Sequence, residues 1–167
     1  MIPEIFTKEP ALRKKLNEKL KELDKDSLIL NVDPTNIMKQ LSTIVKKSSD
    51  WGKVLAYIYK MKNNFEIEFD SWKANEQIQI KARLKDTIKT QMKLRKEKQP
   101  TIVDELKESD VKAELYANND HKKIKLIIAR WDYYYKLVEN TIFWPITKMP
   151  DVLKSYENII NRTHVKM

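Results

Sequence analysis

The chain has 167 residues, 33 lysines and arginines against 24 aspartates and glutamates, two histidines, one glycine and no cysteine. A single glycine excludes the phosphate-cradling loops of nucleotide-binding folds, and the absence of cysteine excludes disulfides, thiol nucleophiles and thiolate metal sites. No apolar run approaches the ~20 residues of a membrane span, and Met1 to Lys14 lacks a signal-peptide core, so a cytoplasmic location with no membrane contact is expected.

Without turn glycines, and with Lys, Glu, Leu, Ile and Ala abundant, the chain is predicted to be all-α. Residues 1–33 carry seven basic and seven acidic side chains and read as a charged helical extension. Leu12, Leu16, Leu20 and Leu23 give it helical spacing, with Pro10 in the first turn. The expectation is a solvated helix, flexibly attached. Asp33-Pro34 then caps the start of a single domain over 34–167. Ile37, Met38, Leu41, Ile44 and Val45 repeat at helical period, and Ser48 to Asp50 is a predicted break. Val54, Leu55, Ile58 and Met61 resume the pattern up to a predicted turn at Asn63-Asn64.

From Phe65 to about Lys98 no glycine or proline intervenes, which predicts one long helix ended by Pro100. Residues 99–120 are acidic and predict a short helix or two, capped by Thr101 or Ser109. The last third is the most apolar. Ile124, Ile127, Ile128, Trp131, Tyr134, Tyr135, Val138 and Ile142 form a stripe that Leu126, Tyr133 and Leu137 widen. One neighbouring helix does not cover so wide a face, which makes Ile124, Ile127, Ile128, Trp131, Tyr134, Leu137 and Val138 the candidate interface positions for the assembly that the resemblance given below implies. Trp144-Pro145 is expected to interrupt this helix. A final one follows with Pro150 in its first turn, presenting Met149, Val152, Leu153, Tyr156, Ile159 and Ile160.

Catalytic signals are sparse. His121 and His164 have no metal-ligand partner at i+3 or i+4 and are expected on the surface. Glu66 with Asp70, or Asp104 with Glu108, could chelate a metal. Pairs at helical spacing are usually solvated, so no enzyme, metal or cofactor is expected. Charge is more informative. Residues 73–98 hold nine basic side chains against Glu76, Asp86 and Glu97. Lys81, Lys85, Lys89 and Lys93 recur every fourth residue along one helix ridge, with Arg83 and Arg95 nearby. Like charges at i, i+4 repel slightly, and an anionic ligand such as a polyphosphate backbone offsets that repulsion. Trp72-Lys73 and Arg130-Trp131 set rings beside cations, but both tryptophans fall on apolar stripes and are expected in the core. The competing reading is a helical adaptor whose basic ridge meets an acidic protein surface.

The run Ile80-Lys81-Ala82-Arg83-Leu84 resembles the short basic motif of the UvsY-type recombination mediator proteins of T-even-like phages. Lys112, Leu115, Ala117 and Asp120, followed by Trp131 in an apolar helix, are similar to that family's downstream pattern. The resemblance spans roughly residues 34–160. It implies an all-α protein that binds single-stranded DNA through Lys81 and Arg83 and assembles into a ring-like homo-oligomer through its C-terminal helices. It further implies contacts with a single-strand-binding protein and a RecA-like recombinase, whose loading such a protein assists.

Overall fold

The computed structural model describes residues 2–24, 37–95 and 106–164. Among these the chain is all-α, with no strand: α1 (Glu4–Thr7), α2 (Glu9–Asp24), α3 (Ile37–Arg95), α4 (Glu108–Ala117), α5 (Asn119–Val138), a π turn (Glu139–Phe143) and α6 (Trp144–His164). The expected caps at Asp33-Pro34 and Thr101, and the helix end at Pro100, lie outside the described residues.

Helix α3 corrects the predicted breaks. It runs 59 residues without interruption through both Ser48 to Asp50 and Asn63-Asn64. Serine, aspartate and asparagine each weaken a helix by at most about 0.7 kcal/mol relative to alanine. Burial of Trp51, Val54, Ile58 and Phe65 around them contributes about 1.5–3 kcal/mol per side chain, which wins. Lys53 also reaches back to Asp50 at 3.0 Å, an i, i+3 pair along the predicted break.

The chain divides into two compact units. One comprises Met1–Lys8 and Asn63–Ala129. Its core is built from Phe6, Phe65, Phe69, Trp72, Ile80, Val111, Leu115, Ile124 and, against expectation, His121, which is 3% exposed. Phe6 lies on Phe65 with ring centroids 5.4 Å apart. Helix α4 is capped by neither Ser109 nor any other side chain. Its N-cap is Lys107, and Glu108 and Asp110 in the first turn favour the helix dipole instead. Asn118 separates α4 from α5 by leaving helical backbone geometry. Its side chain accepts the Asp120 N–H at 2.8 Å, the N-cap bond of α5, and donates to Glu76 on α3 at 3.3 Å.

The other unit comprises Glu9–Lys62 and Arg130–Met167. Leu16, Ile44, Trp51, Val54, Ile58, Trp131, Val138, Ile146 and Leu153 are buried there. The N-terminal helix is therefore no loosely tethered extension. Leu16 is wholly buried, and the buried Glu9 carboxylate takes Arg130 at 3.2 Å and Arg13 at 3.7 Å. The boundary expected at residue 33 lies outside the described residues. Asp132 accepts from both Lys62 and Lys136 at 2.7 Å, and these two lysines hold its carboxyl below the usual carboxylate range.

The predicted interruption at Trp144-Pro145 takes the form of a π turn. The Trp144 N–H reaches the Glu139 carbonyl five residues back, with helical backbone kept at Trp144. In an α-helix the Pro145 ring would press on the Thr141 carbonyl, and the wider turn relieves that clash. Helix α6 thus starts at Trp144, and Pro150 sits inside it rather than in its first turn. The side chains of Tyr156, Ile159 and Ile160 lie outside the described residues.

Candidate nucleic-acid interface

Helix arithmetic places the basic residues of α3 on two different sides. At about 100° per residue, Lys81, Lys85 and Lys89 fall within about 40° of a common meridian, together with Ile67 and Ile78. Phe65, Phe69, Trp72 and Ile80 lie on the opposite side, and all four are buried. Lys81, Lys85, Lys89 and Lys93 are all exposed. The ridge thus points away from its unit's core, because the apolar period of α3 directs the other side inward. The four ammonium groups span about 18 Å of helix axis.

Their electrostatic surroundings are open. Among the described residues no carboxylate lies within ion-pair distance of Lys81, Lys85 or Lys93. Lys89 meets Asp86 at 3.9 Å, with both side chains more than 70% exposed. A pair that long and that wet contributes little and leaves the ammonium available. Ile67 and Ile78, at 67% and 66% exposure, are bare for isoleucine; Ile78 adjoins the N-terminal end of the ridge, and Ile67 lies about 21 Å before Lys81 along the axis.

Arg83 is placed differently. It lies about 200° from Lys81, on the core side of α3, so the Lys-Ala-Arg run does not present both cations together. Its guanidinium is bound to Glu114 of α4 at 2.9 Å. Arg95 is exposed at the end of α3, and Lys96 and Lys98 lie outside the described residues. Sequence reading missed Glu114 because the pairing joins residues 31 positions apart, whereas the offset between Lys81 and Arg83 could be counted directly from the helical period.

The expected aromatic roles are settled by burial. Trp72 and Trp131 are 6% and 0% exposed, so both serve the core. The expected interface set also separates. Ile124, Trp131 and Val138 are buried within the chain itself. Ile127, Ile128 and Tyr134 are half-buried, and Leu137 is 40% exposed. Tyr133, at 61%, and Leu126, at 65%, are the barer positions on α5.

His121 is surrounded by rings, with centroids 5.4 Å from Phe69, 6.4 Å from Trp72 and 5.2 Å from Tyr116. Its buried Nε2 has no hydrogen-bond partner among the described residues. Burial lowers the imidazole pKa from its ordinary 6.5, and the Lys125 and Lys73 charges add to that. A cleft of about 450 Å³ beside Trp72 is lined by Glu68, Ser71, Asn75, Glu76 and Gln79, and its carboxylates make it a poor receptor for phosphate. Among the described residues no three His, Asp or Glu side chains gather into a metal-binding group, and no helix is long and apolar enough to cross a membrane. Asp104 lies outside the described residues. No protein family, curated protein or solved structure matches this chain.

Proposed function

We propose that the chain is a single-stranded DNA-binding recombination mediator, which assists a RecA-like recombinase in loading onto DNA covered by single-strand-binding protein. The observation that carries the binding step is the outward ridge of Lys81, Lys85, Lys89 and Lys93, three of them without a carboxylate in reach among the described residues. The hand-over to a recombinase, the ring-like homo-oligomer and a setting in the cytoplasm of a phage-infected cell rest on the resemblance around Lys81 and Arg83. No chemistry by the chain itself is required. Lysines of this kind displace counterions from a phosphate backbone, and repetition of the ridge around an oligomer multiplies a weak contact into avidity.

Binding of a fluorescent oligothymidylate across a salt series tests the ridge. Neutralising about four phosphates gives a log–log slope near −3 for a single strand. Lys81→Ala with Lys85→Ala should lower the affinity and bring the slope to roughly −1.5, with helix content unchanged. No binding at low salt, or a slope the double variant leaves alone, rejects the proposal. A second reading is favoured by the exposure of Ile78: an apolar anchor beside lysines also suits an acidic, amphipathic protein surface, as in an adaptor. Failure to bind the oligonucleotide, together with capture of an acidic partner lost on Ile78→Glu, would favour it.

A further inference from the structure

We propose that Glu114 holds Arg83 in reserve, so that nucleic-acid phosphate must compete with this carboxylate for the guanidinium. The inference rests on the strand-binding reading above and concerns the regulation of that surface. Arg83 is the one cation of the Lys-Ala-Arg run that does not join the exposed ridge, and it is bound to Glu114 at 2.9 Å. Glu114 is itself firmly displayed. Val111 and Leu115 on either side of it are buried, and the end of α4 is tied to α3 by the bond between Asn118 and Glu76. Glu108 on the same helix meets Lys112 at 3.8 Å, so the contact with Arg83 belongs to Glu114 rather than to a diffuse acidic face.

The competition is chemically balanced. A guanidinium stays charged at all working pH values, and its planar fork fits carboxylate and phosphate oxygens alike. With side chains 63% and 36% exposed, the pair is open to water and to a displacing anion. Exposed pairs of this type are worth a factor of about two to five in an equilibrium, within reach of one phosphate contact. A strand that leaves the lysine ridge and winds around α3 towards α4 would thus draw on Arg83 only after the pair with Glu114 opens.

A double-mutant cycle on the full chain, read by oligothymidylate binding at low salt, tests this. Glu114→Gln should tighten binding about two- to fivefold. The gain should vanish in the Arg83→Ala background. Glu114→Asp, which keeps the charge but shortens the reach, should give part of the same gain. Glu108→Gln removes an equal charge from the same helix and should give a smaller gain that is indifferent to Arg83. An equal gain from Glu114→Gln with and without Arg83, or one matched by Glu108→Gln, overturns the inference while leaving strand binding intact. If the unaltered chain fails to bind, the ridge reading falls, and this inference with it.

Discussion

His121 shows how a polar side chain is used away from any chemistry. Placed among Phe69, Trp72 and Tyr116 with Nε2 unpartnered among the described residues, it behaves as a neutral aromatic filler. Burial first, then Lys125 and Lys73, depress its pKa below 6.5, so the folded chain resists taking up a proton there. As pH falls below about 6.5 the unfolded chain binds that proton first, and stability contributed by the neutral ring is lost progressively towards the folded-state pKa. The unfolding free energy from urea titration should fall between pH 7.5 and 5.5, by at most about 1.4 kcal/mol per pH unit for this group. His121→Phe should flatten that part of the profile. An unchanged profile would show that the imidazole titrates normally in the fold. Its burial was not visible in the sequence, because neighbours such as Asp120, Lys122 and Lys123 mark the segment as polar, and only the ring contacts from α3 reveal what α5 turns inward. Arg83 is the converse case: its offset from Lys81 can be counted from helical period, but its partner cannot.

At the scale of elements, α3 and the π turn account for most departures from the predicted layout. Local signals at Ser48 to Asp50 and Asn63-Asn64 are weak penalties, and buried side chains on both flanks outweigh them. Gly52 is a further such penalty inside α3. A Cβ built there would sit 3.5 Å from Cε2 of Phe143, an ordinary contact. Gly52→Ala should therefore stabilise the chain by about 0.5–1 kcal/mol, chiefly by restricting the unfolded backbone. Thermal unfolding checks this, and a lowered midpoint would mean that the Phe143 ring has no room to give. The all-α class was legible because composition and period agree along the whole chain. The course of the chain around Trp144-Pro145 was only half legible: proline announces a disturbance, but whether the helix ends or widens depends on what the next residues bury, here Ile146 and Leu153.

For the whole molecule, burial redistributes the apolar stripe of α5. Ile124, Trp131 and Val138 belong to the chain's own cores, which leaves the proposed homo-oligomer to barer positions such as Tyr133 and Leu137. Leu137→Asp, at a side chain 40% exposed, should spare the fold yet give smaller species in sedimentation. If the sedimentation coefficient does not move, α5 is not the assembly surface. Periodicity alone could not make this division, because it counts how wide an apolar face is and not how much of it the same chain covers.

The fourfold spacing of the lysine ridge carries a mechanical corollary. Each step of four residues overshoots a full turn by about 40°, so the charges from Lys81 to Lys93 wind about 120° around the rod. A polymer touching all four must curl over a cylinder roughly 10 Å across. Duplex DNA, with a persistence length of about 150 base pairs, resists such tight bending, whereas an unpaired thread follows it freely. Preference for unpaired strands would then arise from pliability, with no base read at all.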